Sequence, residues 1–325
     1  MKNITFGIIG CGDVTEKKSG PAFQKLPHTT LKWVMRRDEE KLKDYAKRHQ
    51  VENYTTNYKE LLEDEEVDAI YIATPPYMHK FYTIEAAKHK KDVYVEKPMA
   101  LTVEECKEMM EVCKSEGVKL FVAYYRRGQE KFRTVKELIE KKEIGEIRSF
   151  TYHYVNPLPQ YQPGRPWLND PKISGGGQLY DVGSHMMDLI LYLFGDVSFL
   201  KGISNNQSAV LDVADNTSGI LTFKNGVQGV VQMTFNGQVR EDQLTIVGSE
   251  GTMKFGIMNI EPLEVLKSNG VEKITFEQLE HVQMPLINEV ALTMAGESDL
   301  DSTGLYGLRT QEVIEALRDS KEITY

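Results

Sequence analysis

The 325-residue sequence predicts an α/β protein: a doubly wound parallel sheet first, then an α+β region with a mostly antiparallel sheet. Up to about residue 123, apolar runs alternate with helical patterns, as in βαβ units around a parallel sheet. Beyond that point, several apolar runs follow one another with glycines between them, which favours antiparallel strands. The length allows about two domains, and we place them at residues 1–123 and 124–325.

Composition limits the class of protein. Hydrophobic residues make up 41% of the chain and charged residues 27%, which is ordinary for a folded globular protein. The net charge of −9, with no basic tail, argues against binding to nucleic acid or to anionic membranes. No apolar run approaches the roughly 20 residues of a spanning helix, and the first run is too short for a signal peptide. The three cysteines have no CxxC spacing, so we expect a cytoplasmic protein with reduced thiols.

The elements of the first part follow from their patterns. Ile4–Ile9 is almost continuously apolar, which is typical of a strand buried on both faces. The last predicted helix has Thr102 and Glu105 at the spacing of a capping box and Gly117 just past its end. The other predicted strands are Leu31–Met35, Val67–Ala73, Val93–Val95 and Lys119–Ala123, and the predicted helices are Glu39–His49, Tyr58–Glu63, Met78–His89 and Val103–Ser115.

In the second part of the chain, strands and helices no longer alternate regularly. A helix is predicted at Glu130–Lys142 and a strand at Ile147–Val155, after which the proline-rich segment from Pro157 to Pro171 excludes regular structure. A helix is predicted at Leu179–Phe194, and a final helix at about 306–318 could pack back on the N-terminal domain. The remaining predicted strands are Ser218–Phe223, Val227–Phe235, Gln243–Val247 and Thr252–Phe255.

A glycine turn follows the first predicted strand directly. In Gly10-Cys11-Gly12-Asp13-Val14-Thr15, the G-x-G spacing lets the backbone approach a pyrophosphate, and the next helix would direct its N–H groups at the phosphates. Thr15 stands where the fingerprint has its third glycine or alanine. The alternative is a tight strand-exit turn with no ligand. Because the turn follows the first strand of a βαβ run, we predict dinucleotide binding by Gly10, Gly12, Asp13 and Val14.

The end of the second predicted strand bears on the type of dinucleotide. NAD sites usually carry an acidic residue there, whereas this chain has Arg36 and Arg37. Two guanidinium groups suit the 2′-phosphate of NADP, so we predict NADP over NAD. The alternative is that both arginines form a solvated strand end, with Asp38 starting the next helix. Asp38 comes too late in the sequence to be expected as a ribose ligand.

Further motifs occur in a recognisable order. Ala73-Thr74-Pro75-Pro76-Tyr77-Met78-His79 and Val95-Glu96-Lys97-Pro98 follow two predicted strands, and Tyr124-Tyr125-Arg126-Arg127 lies at the domain crossover. Gly175-Gly176-Gly177 then precedes Asp181-Val182-Gly183-Ser184-His185-Met186-Met187-Asp188. With the glycine turn, these motifs make the whole chain resemble the glucose–fructose oxidoreductase/inositol dehydrogenase/rhizopine-catabolism (Gfo/Idh/MocA) oxidoreductases.

The resemblance implies an N-terminal Rossmann domain and a C-terminal domain whose sheet often supports oligomerisation. It also implies that the Glu-Lys-Pro motif lies beside the nicotinamide, often with a cis Lys–Pro bond, which is plausible at Lys97–Pro98. We assign the further cofactor contacts to Thr74, Pro75, His79, Glu96 and Lys97. This chain departs from the family pattern at Thr15, at Pro76, where a polar residue is common, and at Tyr125, where asparagine is often seen.

Three residues are predicted to carry out catalysis: Lys97, Asp181 and His185. Lys97 follows a strand's carboxyl end, where an ammonium group can polarise a carbonyl or stabilise an alkoxide. Asp181 and His185 are four residues apart and would share one helix face, so the carboxylate can orient the imidazole that exchanges the hydroxyl proton. The alternatives are a surface lysine, a capping aspartate beside a packed histidine, and a metal site. We predict no metal, because no convincing third ligand occurs in the sequence.

Substrate contacts are predicted at Tyr125, Arg126, Tyr154, Trp167 and His185. The proline-rich segment and the strand before it also carry Tyr152, Tyr161 and Arg165, and aromatic rings with hydroxyl and guanidinium donors suit a carbohydrate. The alternative is that the prolines stiffen a crossover and the aromatic rings pack beneath it.

The predicted function is hydride transfer between NAD(P) and a sugar, polyol or related hydroxy or keto compound. One alternative is an NAD-dependent glycosidase that works by transient oxidation and elimination, and another is a non-catalytic regulator that senses a dinucleotide or sugar. An antiparallel sheet with an uncovered face would favour a homodimer or homotetramer.

Overall fold

Six parallel strands form the first sheet, and the alternating pattern predicts all of them except β3 (Asn53–Thr55). The computed structural model describes residues 2–157 and 166–324. The sheet order is β3-β2-β1-β4-β5-β6, so the chain reverses direction across the sheet between β1 and β4. In open α/β sheets, ligands bind at such a switch point, beyond the carboxyl ends of the strands. The strands are β1 (Ile4–Ile9), β2 (Thr29–Met35), β3 (Asn53–Thr55), β4 (Ala69–Ile72), β5 (Asp92–Val95) and β6 (Leu120–Val122).

The side chains of this sheet are buried on both faces. Phe6 and Ile8 of β1 pack into one hydrophobic cluster, whereas Ile9 packs into another. Tyr71 and Ile72 of β4 divide in the same way, because successive side chains of a strand point to opposite faces. This burial explains why the strands read as continuous apolar runs rather than alternating ones.

Helices connect these strands at or near the predicted positions. Both predicted ends of the last of these helices are confirmed: the backbone N–H of Glu105 donates to Thr102 Oγ1 over 3.2 Å, and Gly117 ends the helix at a φ of 71°. The helix after the glycine turn is broken into two short pieces. The α-helices are Asp13–Lys17, Ala22–Lys25, Glu39–His49, Tyr58–Glu63, His79–Lys88 and Val103–Glu116, and the short 3₁₀ turns are Pro76–Met78 and Tyr125–Gly128.

Nine strands form the second sheet, in the order β14-β13-β12-β11-β7-β10-β9-β8-β15. Its neighbouring strands are antiparallel except for β7 and β10, which confirms the predicted fold class. The strands are β7 (Ile147–Val155), β8 (Val197–Asn205), β9 (Asn216–Phe223), β10 (Gln228–Thr234), β11 (Glu241–Gly248), β12 (Gly251–Phe255), β13 (Leu263–Lys267), β14 (Gly270–Ile274) and β15 (Glu322–Thr324).

One face of the second sheet is covered by helical structure. The predicted helix at 179–194 is composed of a π-helical turn, Leu179–Gly183, and an α-helix, Ser184–Phe194. Most side chains of Ser184–Phe194 are buried, and its apolar residues pack with those of the sheet in one cluster. The remaining helices of the chain are Glu130–Glu140, Pro171–Ser174, Met284–Met294 and Leu305–Arg318, with a 3₁₀ turn at Pro166–Asn169.

The chain forms two compact units. The first contains the residues up to Gln129 together with Leu279–Leu308, and the second contains Glu130–Gln278 and the residues from Arg309 onward. These units differ from the predicted bounds because the apolar side chains of the Met284–Met294 helix pack with those of β1. The assignment of functions to 1–123 and 124–325 stays a prediction. Among the described residues, no helix has the length and apolar character needed to cross a membrane.

Candidate active site

Gly10 is required by the packing of the first sheet. Its φ is +94°, and a Cβ atom there would lie 2.8 Å from Thr74 Cγ2 and 2.9 Å from the backbone nitrogen of Thr74. The backbone N–H groups of Gly10 and Cys11 both donate to the Met35 carbonyl, over 2.9 and 3.2 Å. The turn after β1 is therefore held against the ends of both β4 and β2.

Gly12 is not required by packing. Its backbone is extended, at φ −138° and ψ −156°, and among the described residues a Cβ atom would meet only the Gly10 carbonyl oxygen, at 3.8 Å. The space beside Gly12 is thus open to a ligand. Thr74 Oγ1 is a buried hydroxyl for which the described part of the chain supplies no hydrogen-bond partner. An open cradle and a hydroxyl with unused hydrogen-bonding capacity both fit a bound dinucleotide.

Thr15 has a structural role in the turn. Its side chain is fully buried, and its hydroxyl donates to the Gly12 carbonyl over 2.8 Å. Its own carbonyl accepts a hydrogen bond from the Tyr45 hydroxyl over 3.1 Å. A Cβ atom at Gly20 would overlap this carbonyl. Thr15 therefore fixes the turn through hydrogen bonds of both its side chain and its backbone carbonyl.

The two arginines after β2 differ in their surroundings. Arg36 is half-buried and donates from Nη1 to the Cys11 carbonyl over 3.0 Å, whereas Arg37 is exposed. Asp38 caps the helix Glu39–His49 by accepting from the backbone N–H of Lys41 over 3.1 Å, as expected of a helix start. Arg36 thus braces the glycine turn with one of its five donors, and Arg37 presents its guanidinium to solvent.

His79 connects two loops at the sheet's carboxyl edge. Its Nε2 lies 2.8 Å from the Thr74 carbonyl oxygen and its Nδ1 lies 3.0 Å from that of Pro98. The ring is fully buried, and this burial lowers the pKa of His79 below the ordinary value for a histidine. Both ring nitrogens face backbone carbonyls of the protein. His79 therefore links these two loops, and its predicted contact with the cofactor stays a prediction.

Glu96 and Lys97 follow β5, and the predicted cis bond at Lys97–Pro98 is present. Glu96 is buried, and its Oε1 accepts hydrogen bonds from the Tyr71 hydroxyl and from Gln283 Nε2, both over 2.6 Å. The Lys97 backbone N–H donates to Oε2 over 3.2 Å. Burial, reinforced by the nearby carboxylate, raises the pKa of Tyr71 well above its ordinary value, so this phenol remains a donor.

Asp181 and His185 lie in the second unit, on two kinds of helix. Asp181 is half-buried in the π-helical turn, whereas His185 is buried in the first turn of the α-helix Ser184–Phe194. The predicted common face assumed one continuous α-helix, which the structure does not have. Short π-helical segments within helices are frequent at functional sites. Among the described residues, no three His, Cys, Asp or Glu side chains are grouped to hold a metal ion.

Comparison with known proteins identifies the family. Residues 4–124 match the model of an oxidoreductase family with an NAD-binding Rossmann fold, and residues 132–254 match the GFO/IDH/MocA C-terminal domain. The chain belongs to the Gfo/Idh/MocA family. It is an NAD(P)-dependent oxidoreductase, and the resemblance stated from its motifs is confirmed.

Individual relatives of this Gfo/Idh/MocA protein span most of its length. "Oxidoreductase P35" of Formosa agariphila is 39% identical over 293 residues, covering 88% of this chain and 89% of the relative. Levoglucosan dehydrogenase of Pseudarthrobacter phenanthrenivorans is 28% identical, covering 82% of this chain and 76% of the relative. A solved levoglucosan dehydrogenase with NADH and levoglucosan has a TM-score of 0.88 at 22% identity, covering 99% of both chains, which shows the shared fold.

The predicted substrate residues of the Gfo/Idh/MocA protein lie in both units. In the first unit, Tyr125 and Arg126 are buried, and the guanidinium carbon of Arg126 lies 5.3 Å from the centre of the Tyr125 ring. In the second unit, Tyr154 is half-buried, with its ring 5.8 Å from that of Phe235, and Trp167 is half-buried.

The other aromatic and charged residues named for the proline-rich segment and the strand before it are Tyr152, Tyr161 and Arg165. The Tyr152 hydroxyl donates to Asp242 over 3.0 Å within the second unit, so this tyrosine is part of the internal packing. The predicted positions Tyr161 and Arg165 lie outside the described residues.

Proposed function

We propose that this protein is a dehydrogenase or reductase that uses NAD(P) on a CH–OH group of a sugar, polyol or related keto compound. One observation carries the proposal: the open cradle at Gly12, the Thr74 hydroxyl and the Glu96–Lys97 motif all follow strands of the parallel sheet. They come after β1 and β4, which flank the switch point, and after β5, the next strand beyond β4. Ligands of open α/β sheets bind at this edge.

The cofactor would be held by the residues predicted for it, with the glycine turn at the phosphates and Glu96 and Lys97 at the nicotinamide. When bound, the dinucleotide supplies the redox chemistry by taking up or releasing a hydride at its nicotinamide ring. We favour NADP because Arg37 is exposed and Arg36 has one donor on Cys11, leaving other donors for a 2′-phosphate. D-xylose 1-dehydrogenase [NADP(+)] of Haloarcula marismortui, 25% identical over 98% of this chain, is named for the same cofactor.

Three residues are proposed to act on the substrate. Lys97 would hold the reacting oxygen through its ammonium group and stabilise negative charge on it. His185 would remove the hydroxyl proton during oxidation and return it during reduction. Asp181 would orient the imidazole and stabilise its protonated form. Tyr125, Arg126, Tyr154 and Trp167 are the proposed substrate contacts.

Sugars are the proposed substrate class, because relatives of this chain are named as dehydrogenases of levoglucosan and D-xylose. The structures that share its fold include a levoglucosan dehydrogenase with NADH and L-sorbose, at a TM-score of 0.88 and 23% identity. We propose a cytoplasmic location on the basis of the sparse, buried cysteines.

We also propose that copies associate through the open face of the second sheet. Ile203, Ile220 and Val230 lie on this face, with 62%, 50% and 46% of their surface exposed. Ile220 and Val230 are directly opposite each other on β9 and β10. Apolar side chains clustered on a sheet face favour a homodimer or homotetramer. Replacing Ile220 with lysine should lower the molecular mass measured by light scattering, whereas an unchanged mass would contradict this interface.

A cofactor-consumption screen tests the function. Wild-type protein is incubated with sugars, polyols and keto-sugars and with each of NAD(H) and NADP(H), and the absorbance of the reduced nicotinamide is followed. We expect net oxidation or reduction with at least one sugar. Release of sugar from a glycoside without net cofactor change would favour the glycosidase alternative. Cofactor binding without turnover across the whole panel would favour the sensor.

The Lys97→Met variant tests the assigned chemistry. Methionine keeps much of the side-chain volume but lacks the ammonium group, so NAD(P)H binding should remain and turnover should be lost. Removing one electrostatic stabiliser of an oxyanion typically lowers turnover by roughly 100- to 1,000-fold. Unchanged turnover in Lys97→Met would contradict the assignment even if the screen identifies a substrate.

A further inference from the structure

We propose that Gln283 is a positioning residue for the nicotinamide end of the cofactor site, acting through the Glu96 carboxylate. The inference rests on the proposed function, in which Glu96 and Lys97 hold this part of the dinucleotide. Gln283 lies 187 residues further along the chain than Glu96 and comes just before the Met284–Met294 helix. Nothing in its local sequence pattern indicates a role in the site.

Gln283 is fully buried within the first unit and has partners on both ends of its amide. Its Nε2 donates to Glu96 Oε1 over 2.6 Å, and its Oε1 accepts from the Tyr94 hydroxyl over 3.3 Å. Its backbone N–H donates to the Lys18 carbonyl over 3.1 Å, just beyond the helix that follows the glycine turn. The side chain is therefore fixed in one orientation, with its donor facing Glu96.

The surroundings of Glu96 make this donor important. Hydrogen-bond donors offset the desolvation cost of a buried carboxylate and hold it in one rotamer. Besides Gln283, Tyr71 donates to the same oxygen, and the Tyr71 phenol oxygen lies 3.0 Å from Ser19 Oγ. Gln283 and Tyr71 together fix the Oε1 side of the carboxylate, so that Oε2 faces the Lys97 backbone N–H. The backbone that carries the Lys97 side chain is thereby held in place.

The test compares two substitutions at Gln283 by fluorescence titration with NADH and NADPH. Gln283→Met removes the donor with little change in volume, and we expect affinity for the reduced dinucleotide to fall about tenfold or more at every pH. Gln283→Glu puts a second carboxylate against Glu96, and the two carboxyl groups must then share a proton. At low pH the protonated carboxyl restores the donor, so the affinity of Gln283→Glu should approach the wild-type value and then decline as pH rises.

The other titratable groups near this carboxylate pair are Tyr71, Tyr94 and His79, each of which interacts electrostatically with Glu96, and Lys97, which is next to Glu96 in the chain. His281 is two residues before Gln283 in the chain. The His281 ring faces the Lys17 carbonyl and the Lys25 ammonium group. All of these groups are also present in the wild-type protein. The ratio of variant to wild-type affinity at each pH therefore isolates the new carboxyl group.

ADP-ribose separates positioning from general damage, because it lacks the nicotinamide. Both variants should bind ADP-ribose as the wild-type protein does. Gln129→Leu is the matched control, since the Gln129 amide donates over 3.3 Å to the Val282 carbonyl rather than to Glu96. This control should leave NAD(P)H affinity within about threefold of wild type.

Several outcomes would overturn the proposal. If the variants lose as much affinity for ADP-ribose as for NAD(P)H, the role of Gln283 is only structural. If Gln283→Met binds NAD(P)H with wild-type affinity, the amide does not position Glu96. The same conclusion follows if the NAD(P)H affinity of Gln283→Glu, relative to wild type, does not change with pH. If the wild-type protein binds neither NADH nor NADPH, the proposed function fails and this inference fails with it. If the wild-type protein binds them and the Gln283 variants bind them equally well, only the inference is refuted.

Discussion

The two glycines of the turn after β1 should respond differently to substitution by alanine. At Gly10, alanine meets two penalties: its φ of +94° costs about 1–2 kcal/mol for an L residue, and a Cβ atom would lie 2.8–2.9 Å from Thr74 and Ala73. Such overpacking costs about 1–3 kcal/mol. The Gly10→Ala variant should therefore lose about 2–5 kcal/mol of unfolding free energy.

At Gly12, the same substitution should leave stability nearly unchanged. The backbone is extended, and within residues 2–157 and 166–324 the single neighbour of an added Cβ atom lies at 3.8 Å, so the added methyl group meets no close contact there. Removing a glycine also lowers the entropy of the unfolded chain, which stabilises the protein by about 0.4–1 kcal/mol. The methyl group would instead occupy the space proposed for the pyrophosphate. At about 1–3 kcal/mol of overpacking, NAD(P)H affinity should fall about 5- to 150-fold.

Urea unfolding followed by circular dichroism measures the first effect, and NAD(P)H fluorescence titration measures the second. The expected pattern is reduced stability for Gly10→Ala, and normal stability with weak cofactor binding for Gly12→Ala. Wild-type cofactor affinity in Gly12→Ala would refute the assignment of this cradle to the dinucleotide. A loss of stability in Gly12→Ala as large as that in Gly10→Ala would refute the packing argument.

Substitutions at three further positions, Arg37, Glu16 and Thr15, test other parts of the first unit. Arg37→Ala should reduce the preference for NADPH over NADH about tenfold in titrations, and equal losses for both cofactors would contradict a contact with the 2′-phosphate. Hydrogen bonds from Arg48 and His49 lower the pKa of Glu16 from 4.5 to about 2, so this carboxylate stabilises the fold above its unfolded pKa. In urea unfolding, the wild-type protein should have a higher unfolding free energy than Glu16→Gln, by about 1 kcal/mol near neutral pH. This difference should disappear as the pH falls from 4.5 towards 2. A difference that does not change with pH would contradict the ion pair. Thr15→Val should cost about 1 kcal/mol of unfolding free energy, whereas Thr15→Ser, which keeps the hydroxyl, should cost less.

Local patterns were sufficient to predict five of the six strands of the first sheet. The predicted bounds are correct for the strand Ile4–Ile9 and for the helices Glu39–His49 and Tyr58–Glu63. Burial on both faces of a strand and the periodicity of a helix both produce patterns in consecutive residues, which can be recognised in the sequence. Short strands such as β3 and β15 were not predicted, since three residues carry too little pattern. The helix Met284–Met294 was missed as well, although its apolar residues complete a core of the first unit.

The candidate site was predictable only where motifs carry it. The positions of Gly12, Thr74 and Glu96 at strand ends follow from the βαβ order. The partners of Arg36 and His79 do not, because a sequence does not say whether a polar side chain will meet a ligand or a backbone carbonyl. Gln283 shows the same limit, since its contact with Glu96 joins residues far apart in the chain.

The return of Leu279–Leu308 to the first unit has a consequence for synthesis of the chain. Leu286, Ile287 and Val290 share a buried cluster with Phe6 and Ile8, so one face of the first sheet is completed only by residues translated late. On the ribosome, all of Glu130–Gln278 emerges before that face can be covered. The nascent N-terminal region therefore keeps this apolar surface exposed until Leu279–Leu308 has been synthesised. For the same reason, an expressed fragment ending at residue 123 should be prone to aggregate.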